Sequence, residues 1–130
     1  MATVVKEILI EVPPEDAWAA IRDFGAVQRL VPGFLVDCRL DGDARVVTFA
    51  SGRVARELLV SIDDGSRRLV YAEPGGPFIS RNASLQVFSH GEAKSRIVWI
   101  IDLLPNELAG MISESMIKAA AVMKATLERA

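Results

Sequence analysis

Apolar and polar side chains alternate in the first segment of the chain. Ile8, Ile10 and Val12 fall on one side of a period-two pattern whose other side carries Glu11. This alternation predicts a half-buried β-strand over residues 3–12.

The segment after this strand changes to helical spacing. Pro14 suits the first position of a helix, where no backbone N–H is needed. Trp18 and Ile21 then fall on one helical face, and Gly25 ends this helix. The apolar residues within 27–31 predict a second short helix, which ends at the Pro-Gly pair that follows.

Apolar and polar residues then alternate again for about seventy residues, with the period of two that is typical of β-strands. Strands are predicted at residues 35–40, 45–50, 53–62, 68–73, 79–89 and 95–104. The segments between them are short and rich in Gly, Asp and Ser, which is the chemistry of hairpin turns. Because short turns make neighbouring strands antiparallel, these strands are expected to form a continuous meander.

The last segment has the pattern of one long amphipathic helix. After Pro105, apolar side chains recur at steps of three and four residues from Leu108 through Met116 to Leu127. This helix is the element available to cover the one buried face of the sheet. The predicted fold class is therefore α+β: a curved, seven-stranded antiparallel sheet wrapped around a long C-terminal helix, with two short helices after strand one. A single domain is expected over residues 1–130.

Composition narrows the functional classes. The formal net charge is −2, with 15 Lys and Arg against 17 Asp and Glu. Without a basic excess to gather along phosphates, nucleic acid is not expected as a partner. No integral membrane segment is expected either, because the most apolar run, residues 97–104, is too short to span a bilayer. The N-terminus lacks signal-peptide features and Cys38 is the only cysteine, so a cytoplasmic location is expected.

No metal or other cofactor is expected. His90 is the only histidine, and no cysteine cluster is available to complete a transition-metal site with it. A serine triad would also need this imidazole, and His90 has no G-x-S-x-G segment near it. The PGG at residues 74–76 lacks the lysine and the helix of a phosphate loop. Any chemistry would therefore rest on carboxylates and polar side chains.

Three segments together resemble the START / pollen-allergen superfamily of helix-grip proteins, also called SRPBCC. They are VPPEDAWAAIRDF near the start, SGRVARELLVSIDDGSRRLVY in the middle and SRIVWIIDLLP before the last helix. The resemblance covers essentially the whole chain and implies a helix-grip fold, polyketide cyclase/dehydrase-like, with space between sheet and C-terminal helix. It also implies a cradle of the two short helices that Trp18 locks to the sheet. This fold hosts lipid carriers, hormone receptors and polyketide cyclases, so it leaves the function open.

Glu57 is the candidate catalytic residue. It matches the hairpin glutamate of the superfamily, which in the hormone-receptor members points into the cavity. Burial raises the pKa of a carboxyl group by desolvation, which suits a general acid or base. The alternative is an outward Glu57 paired with Arg68 or another cross-strand arginine. Polyketide cyclases of this fold often have a cavity arginine as well. The sequence offers Arg53, Arg56, Arg81 and Arg96 for that role.

Asn82, Ser84 and Gln86 are candidate ligand-binding residues on one strand. They share one face, while Ala83 and Leu85 belong to the other. The simple interpretation places the polar face in solvent. The resemblance implies instead that the positions of Asn82 and Ser84 line the pocket, and both interpretations stay open.

Three further positions complete the candidate site. Tyr71 could donate a hydrogen bond into the cavity, and Met116 would contribute to an adaptable roof. Val36 stands where hormone-receptor members carry a lysine that anchors an acidic ligand, so that mode of carboxylate binding is not expected. Trp99 and Asp102 lie in opposite phase on the last strand, and the pattern does not say which points inward.

Three functions fit these observations. The first is a carrier or sensor that binds a small, largely hydrophobic molecule, lipid- or polyketide-like, in the cavity. The second is an enzyme of the polyketide cyclase, dehydratase or isomerase type, in which Glu57 moves a proton. The third is an interaction protein with a filled core, which could form a homodimer through an exposed sheet edge.

Overall fold

Seven antiparallel strands form one continuous sheet in the computed structural model, which describes residues 1–129. The strands are β1 (Ala2–Ile10), β2 (Leu35–Asp41), β3 (Ala44–Phe49), β4 (Val54–Asp63), β5 (Arg68–Ala72), β6 (Ser80–Ser89) and β7 (Ser95–Leu104). Their order across the sheet is β1-β7-β6-β5-β4-β3-β2, so β2 to β7 form the predicted meander and β1 joins its far edge.

The predicted strands are all present, and their bounds agree with the prediction to within two residues. The largest difference is in β1, which ends at Ile10 and not at Val12. Ile10 is paired with Ser95, the first residue of β7, so beyond it β1 has no neighbouring strand to bond. The Val12 carbonyl instead accepts a hydrogen bond from the Ser95 hydroxyl at 2.6 Å.

Three α-helices complete the described part of the chain: α1 (Pro14–Arg22), α2 (Val27–Leu30) and α3 (Ala109–Arg129). Single 3₁₀ turns precede α2 and α3. The buried residues of α3 recur at steps of three and four, so the helix presents one apolar stripe to the rest of the protein. They are Ile112, Met116, Ala119, Met123 and Leu127. This arrangement confirms the α+β helix-grip prediction.

Trp18 connects the first helix to the turn that follows β4. Its ring is buried, and Nε1 donates a hydrogen bond to Asp64 Oδ1 at 2.9 Å. Arg22, one turn further along α1, donates from Nε to the same oxygen at 2.8 Å. Trp18 does not line the cavity described below, so its contacts are those of a structural residue.

The long helix is amphipathic and not apolar all round. Within residues 1–129, no helix has the combination of length and hydropathy needed to cross a membrane.

Candidate ligand-binding cavity

A cavity of about 670 Å³ lies between the inner face of the sheet and α3. Sheet residues such as Leu85 and Ile101 form one wall, and Ile112, Met116 and Ala119 of α3 form the opposite wall. Cavities that hold small molecules in proteins commonly fall between about 300 and 1,000 Å³ and have mostly apolar walls with few polar groups. The size and lining of this cavity are therefore those of a small-molecule site, and the filled-core alternative does not match the structure.

A row of charged side chains occupies one portion of the sheet wall. Each belongs to the inward phase of its strand, which otherwise holds buried apolar residues. Arg45 alternates with Val47 on β3, and Arg81 alternates with Ala83 and Leu85 on β6. Because alternate residues of a strand point to the same face of the sheet, these charged side chains point into the core.

Glu57 lies at the centre of this row and is paired with two arginines. Its Oε1 accepts a hydrogen bond from Arg45 Nε at 2.8 Å, and its Oε2 accepts one from Arg81 Nη2 at 2.6 Å. Arg45 and Glu57 are 3% and 5% exposed. Glu57 therefore points inward, as the cavity interpretation expects. It does pair with a cross-strand arginine, but this is the buried Arg45 and not Arg68. Its role in ligand binding or catalysis stays a prediction.

The charged row continues to the surface through Glu73. Arg81 Nε donates to Glu73 Oε1 at 2.9 Å, and Arg53 Nη1 donates to Glu73 Oε2 at 2.9 Å. The Arg53 side chain is 34% exposed and lines the cavity near its opening. We call these five residues the ion chain. They are Arg45, Glu57, Arg81, Glu73 and Arg53. Its four buried members are two arginines and two glutamates, so the buried charges balance.

Aromatic rings pack against the guanidinium groups. The Arg45 guanidinium carbon lies 4.1 Å from the centroid of the Phe24 ring and 4.9 Å from that of the Tyr71 ring. Arg45 Nη1 also donates to the Phe24 carbonyl oxygen at 3.1 Å. These contacts hold the buried cation by hydrogen bonds and by its attraction to ring faces.

Tyr71 lines the cavity beside the ion chain. Burial raises the pKa of its phenol and the negative charge of Glu57 raises it further, while Arg81 and Arg45 oppose the rise. Burial acts to lower the pKa of the Arg81 guanidinium, but its interactions with Tyr71, Glu57 and Glu73 together outweigh burial, and the pKa is raised. At neutral pH, Tyr71 therefore keeps its hydroxyl proton and can donate it in a hydrogen bond.

Trp99 points into the cavity and Asp102 points to the opposite face of β7. Asp102 Oδ1 accepts a hydrogen bond from the Thr3 hydroxyl on neighbouring β1. The Trp99 ring is 7% exposed and lines the cavity. Its Nε1 is the one buried side-chain nitrogen or oxygen without a hydrogen-bond partner among residues 1–129.

Four of the predicted ligand-binding residues lie outside the cavity, and these assignments are corrected. Asn82, Ser84 and Gln86 occupy the outer face of the sheet because the inward phase of β6 belongs to Arg81 and its apolar neighbours. Gln86 Nε2 instead donates to the Ser66 carbonyl oxygen on that face. Val36 is 52% exposed on the edge strand β2. The predicted residues that do line the cavity are Glu57, Tyr71 and Met116.

The sequence prediction missed Arg45 and Glu73, and it left open whether Trp99 or Asp102 points inward. The sequence did contain a signal for Arg45 and Glu73, since each is a charged residue at a position where the alternation of a predicted strand calls for an apolar one. Glu73, for instance, follows Leu69 and Tyr71 at steps of two. The period of the strand directs a charge at such a position into the core, and a buried charge needs a partner of opposite sign.

The opening of the cavity lies between two turns and α3. Ser51, in the short turn between β3 and β4, and Pro77, in the loop before β6, lie on its rim. Met111 and Lys118 of α3 line the same region, and Met111 is half-exposed. The opening leads directly to the apolar walls and the ion chain.

Among residues 1–129, no group of three or more His, Cys, Asp or Glu side chains is arranged to hold a metal ion.

The whole chain, residues 1–130, matches the family described as Polyketide cyclase / dehydrase and lipid transport. No curated protein sequence matches the chain.

Solved structures share the fold at low sequence identity. An uncharacterised protein from Bacillus thuringiensis has a TM-score of 0.87 at 18% identity, over 97% of this chain and 98% of that one. Truncated norcoclaurine synthase from Thalictrum flavum has a TM-score of 0.78 at 15% identity, over 98% and 91%. A START superfamily protein from Mycobacterium smegmatis has a TM-score of 0.76 at 13% identity, over 98% and 94%. The superfamily resemblance seen in the sequence is confirmed.

Proposed function

The chain belongs to the polyketide cyclase / dehydrase and lipid transport family, and we propose that it acts there as a carrier or sensor of one small, largely hydrophobic molecule. The ligand would be lipid- or polyketide-like and would lie between the sheet and α3. The observation that carries this proposal is the cavity of about 670 Å³ with apolar walls on both sides. Displacing water from such walls is favourable, and the ion chain would orient the ligand.

The enzyme alternative depends on a proton carried by Glu57. Both oxygens of this carboxylate accept hydrogen bonds from arginines, at 2.8 and 2.6 Å. A proton on either oxygen would remove the negative charge that the two buried guanidinium groups share. This geometry suits a residue that holds Arg45 and Arg81 in place. It does not suit a general acid or base, which must reach the ligand to transfer a proton, because both oxygens face arginines. The carrier function is therefore preferred.

The proposal can be tested with N-phenyl-1-naphthylamine, an uncharged fluorophore that brightens in apolar surroundings. We expect saturable binding to the wild-type protein and loss of binding in Ser115→Trp, because Ser115 lines the cavity and the larger ring would fill it. Ala121→Trp is the matched control, since Ala121 is exposed on the same helix and does not line the cavity. Unchanged binding in a folded Ser115→Trp variant would contradict the proposed site.

A second measurement needs no chosen probe. Native mass spectrometry of the freshly purified protein, compared with the same sample denatured, should show a small-molecule mass that is lost on denaturation. The mass would identify the class of ligand retained from the cell.

A further inference from the structure

The two edge strands of the sheet, β1 and β2, differ in how they are covered. An edge strand carries backbone N–H and C=O groups that can bond another strand. At the β1 edge, α3 supplies the partners, since Lys124 Nζ donates to the Leu9 carbonyl oxygen at 2.6 Å. Just beyond β1, the backbone N–H of Glu11 donates to Glu128 Oε2 at 2.9 Å. The β1 edge is therefore occupied by side chains of the long helix.

Strand β2 instead presents its edge to solvent. Next to the two-residue turn of the β2–β3 hairpin, Asp41 pairs with Ala44, and in such hairpins this pair exchanges both backbone hydrogen bonds. Bonding then alternates along β2, so the N–H and C=O groups of Leu40 and Cys38 point away from β3. Within residues 1–129, the backbone of these two residues forms no hydrogen bond outside the hairpin.

The side chains along this edge are arranged symmetrically about Cys38. Val36 and Leu40 lie two positions away on either side and are 52% and 61% exposed. Asp37 and Arg39 lie one position away on either side, exposed on the other face of the strand. Within residues 1–129, neither of these two charges takes part in an ion pair. The edge therefore offers free backbone groups, two exposed apolar side chains and two unneutralised charges of opposite sign.

We infer that β2 pairs antiparallel with β2 of a second copy of this chain, about a two-fold axis at Cys38. Pairing about that axis places each residue opposite the residue equally far on the other side of the axis. Asp37 then lies opposite Arg39 of the second copy, and Val36 lies opposite Leu40. The two Cys38 residues exchange two backbone hydrogen bonds, and the two sheets become one continuous sheet.

The charges favour this register over its neighbours. Charges on an edge strand commonly prevent pairing with another strand, and an axis at Asp37 or at Arg39 would bring that residue opposite its own copy. Like charges directly opposite each other are destabilising, whereas opposite charges stabilise. An axis at Leu40 would pair Arg39 with Asp41, but Asp41 is already bonded to Arg56 and the overlap would run into the turn. An axis at Cys38 neutralises both free charges.

The dimer is expected to be weak because the open edge is short. At one end, the Val36 carbonyl oxygen already accepts a hydrogen bond from Gln28 Nε2 at 2.9 Å. At the other end, the chain turns after Asp41. The paired segment is therefore limited to residues 36–40, and small interfaces are typical of transient complexes. We expect monomer and dimer to exchange at micromolar protein concentration.

Charge exchange at two positions tests this pairing. Sedimentation velocity at increasing protein concentration gives the Kd of the dimer. Arg39→Asp alone and Asp37→Arg alone should each raise this Kd about tenfold, because two attractive contacts become repulsive. The double variant with Asp37→Arg and Arg39→Asp should restore the wild-type Kd. Arg68→Asp is the matched control and should leave the Kd unchanged, because Arg68 is exposed on β5, away from this edge.

Spectroscopy on the unmodified protein guards against a variant that fails to fold. In a ¹⁵N-labelled sample, the backbone amide signals of Cys38 and Leu40 should shift as the protein concentration rises. The amide signals of Val5 and Leu9 on β1 should stay in place over the same range.

Each result decides for or against the pairing. A wild-type protein that stays monomeric with unchanged β2 amide signals would overturn the inference, as would an equal Kd in wild type and Arg39→Asp. Weaker association in both single variants without recovery in the double variant would overturn the axis at Cys38. Concentration-dependent shifts on β1 and not on β2 would assign the contact to another surface. The proposed function is tested separately, by the binding of N-phenyl-1-naphthylamine.

Discussion

Arg45 and Glu57 lie directly opposite each other on β3 and β4, joined by a hydrogen bond of 2.8 Å from Nε to Oε1. Both side chains are buried in the wall of the cavity. Removing one member of such a pair leaves a charge in a medium of low polarity with nothing to neutralise it. The pair therefore links the stability of the protein to the shape of its binding site.

Glu57→Gln is expected to lower the free energy of unfolding by about 3 kcal/mol, the low end of the range for a broken buried ion pair. Arg45 and Arg81 would both lose their shared carboxylate. Urea unfolding at neutral pH measures the change. Glu7→Gln is the control, because Glu7 pairs with Arg96 on the surface and such pairs contribute about 1 kcal/mol or less. Similar losses in the two variants would show that Glu57 does not neutralise the arginines.

Trp18→Ala is expected to cost about 3–5 kcal/mol, the range for emptying a large buried site. Because Trp18 does not line the cavity, the folded fraction should still bind N-phenyl-1-naphthylamine with the wild-type Kd. Thermal or urea unfolding gives the stability, and a fluorescence titration gives the Kd. A loss under about 1 kcal/mol would mean that the ring is not a structural lock.

Protonation of Asp64 should lower the free energy of unfolding of the protein. The hydrogen bond from Trp18 and then that from Arg22 lower the pKa of its carboxyl below the ordinary value of 3.8. A carboxyl whose pKa is lowered by folding stabilises the folded state above its unfolded pKa, and that contribution is lost as the pH falls through the folded value. We expect the pKa of Asp64, followed by NMR, to return towards 3.8 in Trp18→Phe. An unchanged pKa in that variant would show that the hydrogen bond from the Trp18 indole is not the main cause of the lowered pKa of Asp64.

Tyr71 should ionise at a higher pH in the native protein than in the unfolded chain. It is the only tyrosine, so phenolate absorbance reports it alone. Burial raises the pKa of its phenol above the ordinary value of 10.0. The contribution of the protonated Tyr71 phenol to stability is therefore complete below about pH 10. It is lost as the pH rises through the pKa of this phenol in the folded protein. Titration in buffer and in denaturant should give the higher midpoint in buffer, and equal midpoints would contradict the burial of the hydroxyl.

Strand and helix positions were predictable because local chemistry and burial agree along most of this chain. Hairpin-turn residues separate segments of clear alternation, and in β7 every inward residue from Ser95 to Leu103 is buried. Pattern-based prediction works where one face of each strand is apolar.

The orientation of β6 shows where the resemblance misled. The alternation alone put Asn82 and Ser84 on the outer face, which is where they lie. Their match to pocket positions in hormone-receptor members suggested the reverse. The phase of a strand is fixed by which side chains its own core can accept, and the apolar neighbours of Arg81 decide it here.

The ion chain was harder to foresee than the fold. Its members lie on or beside several strands, and the pairing of Glu57 with Arg45 depends on register, which single strands do not reveal. Their sequence separation of twelve residues follows from the length of the β3–β4 hairpin. The unpaired indole of Trp99 has no signal in the sequence, because it is defined by what is missing around it.

The order of strands in the sheet has a consequence for how the protein folds. Every pairing joins strands that are consecutive in the chain except that of β1 with β7, which brings Ala2 opposite Leu103. Hairpins close short loops at small entropic cost, whereas this contact closes almost the whole chain. Since α3 packs against β1, the meander has no complete roof until both ends of the chain have docked. The proposed ligand would therefore bind only late in folding, and by holding the sheet and α3 together it would slow the separation of the two ends.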